Sequence, residues 1–470
     1  MKKTISITGI ILGVGLISVI VLSGCGLKKK SVAYNMSLST WGVFDNSNAY
    51  TDVFDMYSQV NQSVDRISYS KQDLNSYKED LLDALASGNG PDIFMIHNSW
   101  MPDFQDKIVP IPDSLMTEQD YRNNFVDVVA DDFIIDNQMY GVPMSVDSLA
   151  LYYNKDIFNA AGVTSPPKTW DEFNGVVKKL VNIDEFGNIK QIAASMGTAF
   201  NINRSVDLLT VLMIQNGTEM SDGQGKILFA EPVAKGGGSE MTGQQALKYY
   251  TDFANATTPV YTWNKQQNYS IDDFYEGQSA MMINYSWHYD TIKAKNAKLN
   301  FAVTDLPQVS LETIGEQANY ANYWVFVVSK NKKPEQSNDP GAVEITDDIR
   351  IFEAWQALIA LTFPTGEELK IVSPFDGAWY SAVPDFDLTE KYLEITGKPA
   401  ARRDLISKQQ DDVKLGSFAS GNLIARTWLR NNATAVEAIF ADMIDSVNTG
   451  KSSIHDAIEV GATRSQQLQK

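Results

Sequence analysis

Short apolar runs alternate with amphipathic stretches along most of this 470-residue chain, and that alternation constrains the fold more than any other feature. In one amphipathic stretch the apolar residues recur at intervals of three and four: Leu74, Tyr77, Leu81, Leu82 and Leu85. This spacing predicts one face of a helix, and Gly88 follows as its stop. A buried strand is predicted next, at residues 93–96. The alternation is typical of α/β folds, and no short internal repeat indicates a solenoid or propeller.

Further elements are predicted from local signals. Strands are expected at residues 36–40, 280–283, 301–303 and 324–329, where apolar and aromatic side chains cluster. Thr169 and Glu172 have the spacing of a capping box and predict a helix start. The last helix is predicted to begin near Ser453, with Asp456 as its capping partner. A chain of this length predicts two or three domains.

Charge and composition exclude several classes of function. The chain has 39 basic and 58 acidic side chains, a formal charge of −19, which argues against a nucleic-acid partner. A single cysteine excludes a disulfide within the chain, and three histidines with that cysteine leave little for metal chemistry. We therefore expect no metal and no cofactor.

The amino terminus predicts export. Lys2 and Lys3 precede an apolar stretch at residues 5–22, and Leu22-Ser23-Gly24-Cys25 follows. A basic start, an apolar segment and small residues are typical of a secretory signal, and an uncleaved membrane anchor is the alternative. The four residues from Leu22 to Cys25 resemble the bacterial lipoprotein cleavage box. This resemblance implies a signal peptide at 1–24, a tether at 25–33 and a lipid on Cys25. Either interpretation puts the remaining chain outside the cytoplasm, tethered to the cell membrane.

Four segments resemble the family of bacterial extracellular solute-binding proteins that includes the maltose-binding protein. The sharpest combines Tyr140-Gly141-Val142-Pro143, Leu151-Tyr152-Tyr153-Asn154-Lys155 and Thr169-Trp170-Asp171-Glu172-Phe173. The others lie at residues 85–94, 274–284 and 397–404. They follow the family order from about residue 34 to the end of the chain, so the likeness covers nearly all of the mature protein.

The resemblance implies an α/β, two-lobe periplasmic-binding-protein-like fold of type II, with a hinge and an interlobe cleft. It assigns residues 34–143 and 305–340 to lobe 1, and residues 146–300 and 345–470 to lobe 2. The chain is expected to cross between lobes near residues 141–148, 300–308 and 330–350. In this family the ligand lies in the cleft, and closure about the hinge buries it.

The resemblance also points to ligand-binding residues: Trp41, Asp45, Asn98, Ser99, Asp147, Trp287, Trp379 and Arg402. Trp287 matches a family tryptophan that stacks on ligand, and packing within a lobe is its alternative role. Asp45 matches a loop whose acidic residue meets sugar hydroxyls, and its alternative role is a helix cap. Nine tryptophans supply aromatic platforms for the flat C–H faces of a sugar, whose hydroxyls need polar partners.

The function that the resemblance implies is that of a substrate-binding lipoprotein of an ABC importer. It would capture a mono- or oligosaccharide by hinge closure and deliver it to the transmembrane permease, as a monomer and not as an enzyme. One alternative is a receptor for a peptide, polyol or phosphate ester. Another is an extracytoplasmic glycosidase, which needs two carboxyl groups about 5–10 Å apart. A structural or adhesive surface lipoprotein is the third.

Overall fold

The computed structural model describes residues 34–45, 47–235, 237–312, 317–333, 343–364, 366–375 and 377–469. The predicted signal peptide, the tether and Cys25 lie outside these ranges. Among the residues described, we find no helix with the length and apolar character needed to cross a membrane.

The strands of the described chain are β1 (Met36–Gly42), β2 (Val64–Lys71), β3 (Ile93–His97), β4 (Ile108–Val109), β5 (Ile134–Ile135), β6 (Gln138–Met139), β7 (Asp147–Ser148), β8 (Ala150–Asn154), β9 (Asn182–Ile183), β10 (Ile189–Gln191), β11 (Val233–Lys235), β12 (Gly238–Glu240), β13 (Met281–Asn284), β14 (Phe301–Asp305), β15 (Asn319–Asn322), β16 (Trp324–Ser329), β17 (Leu369–Val372), β18 (Trp379–Ala382) and β19 (Ala425–Arg426).

The α-helices are α1 (Ser47–Val60), α2 (Tyr77–Ser87), α3 (Met101–Phe104), α4 (Glu118–Asn124), α5 (Asp127–Phe133), α6 (Lys155–Ala160), α7 (Trp170–Leu180), α8 (Ser205–Gln215), α9 (Thr242–Asp252), α10 (Ser270–Tyr275), α11 (His288–Lys295), α12 (Asp347–Ala360), α13 (Leu388–Thr396), α14 (Arg403–Gln409), α15 (Gly416–Asn422), α16 (Ala433–Asn448) and α17 (Ile454–Gln467).

Several helix ends follow the predicted local signals. Helix α2 stops at Gly88, whose φ of 73° suits a residue without a side chain. Helix α17 begins after Ser453, whose hydroxyl accepts a hydrogen bond from the Asp456 amide. The capping box predicted at α7 is half formed: Thr169 caps the Glu172 amide, but the Glu172 carboxylate accepts from the backbone amide of Lys168 instead.

Lobe 1 is built on a five-stranded sheet with the order β2-β1-β3-β16-β4. Strands β1, β2 and β3 are parallel, whereas β16 runs antiparallel to β3 and β4. The lobe 1 core draws its buried side chains mainly from residues 36–146, 321–361 and 369–406. The carboxyl ends of β1 and β3 and the beginning of β16 therefore meet at one edge of this sheet.

Lobe 2 is built on a smaller antiparallel sheet with the order β13-β8-β14. Its core combines buried side chains from residues 149–285 with those of α16 and α17 near the end of the chain. A satellite cluster that includes Tyr152, Phe274 and Phe301 packs beside the main core. The family-like segment at residues 274–284 contributes β13, the strand that leads into Trp287.

Three strands that pass between the lobes pair with one another to form a hinge sheet with the order β19-β15-β7. The buried side chain of Asn319 in β15 joins it to the start of lobe 2. Its Oδ1 accepts a hydrogen bond from the Leu149 amide (3.1 Å), and its Nδ2 donates to the Leu149 carbonyl (2.8 Å). The crossings are therefore held in one register by backbone and side-chain hydrogen bonds.

This sheet corrects two predicted boundaries. The first crossing, expected at 141–148, is β7, but the second lies at β15 rather than near 300–308. The third lies at β19 rather than at 330–350. Residues 345–406, predicted for lobe 2, pack in the lobe 1 core through buried residues such as Trp355 and Tyr392. The amphipathic pattern of α12 and α13 carries no sign of which sheet these helices cover.

Arg402 is buried in lobe 1, which contradicts its predicted role as a ligand contact. Its guanidinium pairs with the buried Asp387 carboxylate through bonds of 2.9 and 2.7 Å, and with Asp404 at 2.7 Å. These charged neighbours raise the pKa of Arg402 although burial opposes its charge. The side chain thus braces the segment before α13 against α14.

Truncating Arg402 should lower the free energy of unfolding far more than truncating its partly exposed neighbour Arg403. Arg402→Ala leaves Asp387 buried without its charged partner, which should lower the free energy of unfolding by about 3–5 kcal/mol. Arg403→Ala, the matched control, removes an exposed pair with Asp127 and should cost at most about 1 kcal/mol. Urea denaturation of the two variants measures both values, and equal losses would contradict the structural role of Arg402.

Close packing at Gly421 should make the hinge sheet sensitive to one added methyl group. A Cβ atom at Gly421 would lie 2.5 Å from Nδ2 of Asn319 and 2.6 Å from Oγ of Ser148. Gly421→Ala should therefore displace Asn319 and lower the free energy of unfolding by about 1–3 kcal/mol. Gly175→Ala, in the open middle of α7, should instead raise it by up to about 1 kcal/mol. Urea denaturation measures both values. An unchanged free energy of unfolding in Gly421→Ala would show that the hinge sheet accommodates the methyl group without strain.

Candidate functional site

The lobe 1 side of the cleft is an aromatic surface at the edge where β3 and β16 meet. Trp324, the first residue of β16, pairs in register with His97, the last residue of β3. The Trp324 ring makes edge contacts with His97 (5.5 Å between centroids), Trp100 (5.1 Å) and Phe44 (5.3 Å). Phe44 is exposed and Trp324 is half-buried, so this surface still has ring area available for a ligand.

The lobe 2 side is a stacked pair of rings. Trp287, which follows β13, lies parallel to Tyr285 with the ring centroids 4.6 Å apart. Tyr285 is buried and its hydroxyl donates to Asp207 (2.8 Å), whereas Trp287 is 40% exposed. The indole Nε1 donates to Nε2 of His288 (2.9 Å). Trp287 is therefore held in a fixed orientation with part of its surface open.

Arg204 lies against this pair of rings. Its guanidinium is 5.9 Å from the Tyr285 ring centroid and 5.8 Å from that of Trp287, within the range of cation–π attraction. Arg204 precedes α8 with φ of 60°, a left-handed conformation that costs a non-glycine residue about 1–3 kcal/mol. The hydrogen bonds among the described residues leave this guanidinium without an acceptor.

The electrostatics of His97 link the two sides. Burial lowers the pKa of His97 to about 3, and the positive charges of Arg204, Arg430 and Lys78 act in the same direction. His97 is consequently neutral at physiological pH, with Ser99 hydrogen-bonded to its Nδ1 (2.7 Å). Arg430 belongs to lobe 2 and lies two residues before Asn432, whose amide donates to Asp103 of lobe 1 (3.5 Å). The two lobes therefore approach each other just beyond the end of β3.

Two buried carboxylates connect the hinge to this site. Asp147 in β7 accepts hydrogen bonds from the amide (3.0 Å) and hydroxyl (2.6 Å) of Ser286, the residue before Trp287. Asp132 in α5 accepts from Asn98 (3.2 Å), from Tyr323 (2.7 Å) and from Thr427. Burial raises the pKa of Asp147 to about 7 and that of Asp132 to about 6. Loops that border the cleft are thus bonded to the segments that cross between lobes.

The structure brings some of the predicted residues to the cleft edge. Trp41, half-buried, is the residue before the last one of β1, and Trp287 lies on the lobe 2 side, so both remain predicted ligand contacts. Asn98, Ser99 and Asp147 are buried near the cleft and already hydrogen-bonded within the protein. Their hydrogen bonds hold the loops that border the cleft. Direct contact of these side chains with ligand stays a prediction.

Asp45 lies in a buried cluster of lobe 1. Its carboxylate pairs with Lys398 (2.7 Å) and accepts hydrogen bonds from Tyr50 (2.8 Å) and Tyr392 (2.7 Å). Burial opposes its ionisation, yet the charge of Lys398 holds the pKa of Asp45 below its usual value. A ligand hydroxyl would have to compete with these three partners.

The position of Trp379 contradicts its predicted role as a ligand contact. It lies on the hairpin of β17 and β18, where the neighbouring Tyr380 hydroxyl donates to the carbonyl of Val60 (2.7 Å). Val60 ends α1, and this helix starts after the carboxyl end of β1 and returns to the opposite edge of the sheet. Trp379 therefore lies far from the cleft, whereas Arg402 is removed from ligand contact by its burial and its ion pairs.

The sequence reasoning missed three residues of the site: Phe44, Arg204 and Trp324. Trp324 was placed in a strand, but only the antiparallel pairing with β3 brings it to His97. Arg204 lies in a polar run with no signal in the sequence, and its left-handed backbone is visible only in the structure. A search for aromatic residues at predicted strand ends would have found Trp324.

Comparisons with known proteins show which family this chain resembles. A family model described as bacterial extracellular solute-binding protein matches residues 66–365. A putative binding protein of Brucella abortus (strain 2308) is 24% identical over 260 residues, which are 53% of this chain and 57% of that protein. A galactooligosaccharide-binding protein of Bacillus subtilis (strain 168) is 24% identical over 335 residues, 67% of this chain and 71% of that protein. The chain thus aligns with just over half the length of the Brucella protein.

A solved structure shares the whole fold. The cyclic alpha-maltosyl-1,6-maltose binding protein from Arthrobacter globiformis superimposes with a TM-score of 0.68 and 19% identity, covering 93% of this chain and 99% of that one. This likeness confirms the predicted two-lobe α/β fold. With a family match over more than half its length, two lobes and a cleft between them, the chain belongs to the family of bacterial extracellular solute-binding proteins.

Proposed function

We propose that this protein captures a carbohydrate in the interlobe cleft and delivers it to the permease of an ABC importer. The observation that carries the proposal is the partly exposed Trp287, stacked on Tyr285 in lobe 2, together with the aromatic surface around Trp324 in lobe 1. Flat ring faces on both sides suit the C–H faces of a sugar. The names of the Bacillus and Arthrobacter proteins refer to sugar ligands as well, which supports the proposed ligand class.

The polar groups beside these rings suit neutral hydroxyls. Neutral His97 can donate or accept a hydrogen bond, and the guanidinium of Arg204 offers several N–H donors close to the Trp287 face. Because a sugar loses its hydration on entering a closed cleft, each buried hydroxyl needs such a partner. Rings for stacking and donors at their edges are therefore both present at this site.

Closure would follow from contacts with both lobes. Open and closed forms interconvert, and a ligand favours the closed form only by binding it more tightly. A sugar between Trp287 and Trp324 would touch lobe 2 and lobe 1 at once, whereas a ligand on one lobe alone would gain nothing from closure. We further propose that the receptor acts as a monomer, binds no nucleic acid, and is held at the membrane by a lipid on Cys25.

Titration with a panel of sugars tests the proposed function. Intrinsic tryptophan fluorescence should change saturably with at least one mono- or oligosaccharide, and the sugar should be recovered intact. Release of cleaved sugar would favour the glycosidase alternative. Saturation by a peptide, polyol or phosphate ester, with no response to any sugar, would overturn the proposed ligand class and keep the receptor.

Trp287→Ala should weaken binding of the sugar found in that titration by about 1–3 kcal/mol, the usual loss for an aromatic ligand contact. Trp379→Ala is the matched control, because it removes an exposed tryptophan from the opposite edge of lobe 1 and should leave the affinity unchanged. Isothermal titration calorimetry measures both without relying on fluorescence. Unchanged affinity in Trp287→Ala would remove this residue from the site.

Cys25→Ser should abolish lipid attachment and leave the signal peptide uncleaved, because the thiol is the acceptor of the lipid. Mass spectrometry of the receptor from membranes measures both features. If Cys25→Ser is processed and lipid-modified like the natural chain, the proposed anchor is wrong.

A further inference from the structure

An exposed apolar surface lies at the edge of lobe 1 opposite the cleft. It consists of Phe375, Trp379, Tyr380 and Val383, which are 38%, 58%, 47% and 63% exposed; we call it the hairpin patch. Trp379 and Tyr380 belong to β18, whose partner β17 buries Leu369 and Ile371 against the core. The hairpin is therefore fixed on one side, while its aromatic residues remain partly in water.

The hairpin patch adjoins the point where the described chain begins. The Tyr34 ring makes an edge contact with Phe375, with 5.2 Å between centroids. Tyr380 donates to the carbonyl of Val60, which lies next to the loop whose Ser63 carbonyl accepts from the Met36 amide (3.1 Å). Both contacts place the patch at the amino-terminal end of β1.

The position of Tyr34 is itself fixed. Its hydroxyl donates to the buried carboxylate of Glu353 in α12, which also accepts from Asn61 (2.8 Å) and Gln356 (3.0 Å). From Cys25 to Tyr34 there are nine residue steps, which span at most about 30 Å when fully extended. A lipid on Cys25 would thus keep this edge of lobe 1 close to the bilayer.

We propose that the hairpin patch rests on the outer surface of the lipid bilayer, beside the tether, while the receptor waits for ligand. This inference rests on the proposed lipid anchor. Trp and Tyr side chains favour the bilayer interface, because an apolar ring enters the acyl region while its polar group stays hydrated. The ammonium group of Lys370 lies 5.1 Å from the Trp379 ring centroid, where it can meet a lipid phosphate.

Two features favour a bilayer over a second copy of the chain. The short tether gives the patch a high effective concentration of lipid surface without any partner in solution. A second copy would instead bring together two chains of formal charge −19. Exposed Glu367, Glu368 and Asp385 surround the hairpin, so the contact should be stronger with zwitterionic than with anionic lipid.

Fluorescence quenching by brominated lipids tests the contact. The full-length lipidated receptor is reconstituted in phosphatidylcholine vesicles with or without bromine on the upper acyl chain, and flotation confirms attachment. Bromine should quench the share of fluorescence that belongs to one tryptophan of nine. Trp379→Phe should lose this quenching, and Val383→Asp should reduce it at least twofold by placing a charge in the patch. Trp287→Phe, which changes an exposed tryptophan of lobe 2 at the cleft, should keep the quenching.

The outcomes separate the anchor from the contact. If the natural receptor floats with the vesicles but shows the same quenching as Trp379→Phe, the contact is wrong and the anchor stands. A receptor that does not float refutes both. Shielding of Trp379 from acrylamide without any quenching by bromine would mean that protein covers the patch, either the amino-terminal segment or a second copy, and would also overturn the proposal. Sugar binding by Trp379→Phe and Val383→Asp, and thermal unfolding of Trp287→Phe, measured in parallel, confirm that the variants are folded.

Discussion

The structure depends on the hydrogen bonds that join three crossing strands into one small sheet. The chain leaves lobe 1 at β7, returns at β15 and leaves again at β19, and these strands pair in the order β19-β15-β7. Separate crossings would let the lobes twist independently. Because Asn319 bonds both backbone groups of Leu149, a relative motion of the lobes has to bend this sheet as a unit. The proposed hinge closure would therefore follow one direction.

The same hinge holds the cleft surfaces in position. Asp147 binds the loop that carries Trp287, and Asp132 joins the loop after β3 to the segments that follow β15 and β19. A buried carboxylate is costly unless its oxygens are hydrogen-bonded, and each of these accepts several bonds. A rearrangement of either loop would break them. The rings on the two lobes are therefore arranged in advance, which reduces the entropy that ligand binding has to overcome.

Local features of the fold were predictable because they depend on short-range chemistry. Gly88 and Ser453 mark helix ends through backbone conformation and capping, and residues 93–96 form a strand because they are continuously apolar. The family-like segments predicted two lobes and pointed to Trp287 for the same reason: their signal lies within a few residues. These predictions did not depend on tertiary contacts between segments that are distant in the sequence.

Features that join distant segments were not predictable. Helices α12 and α13 have ordinary amphipathic patterns, and only their packing against the first sheet assigns them to lobe 1. Arg402 was predicted as a ligand contact from its place in the family-like segment at residues 397–404, but its guanidinium pairs with Asp387. Trp324 joins the cleft only through antiparallel pairing with β3. In each case the deciding partner lies elsewhere in the sequence and is brought close by the fold.

Small-angle X-ray scattering with and without the bound sugar most directly tests the central claim, that two rigid lobes close about one hinge sheet on a shared ligand. Saturating sugar should reduce the radius of gyration, and the change should follow the binding curve. Saturation of the site with no change in the scattering profile would contradict closure, and the cleft would then bind its ligand without moving.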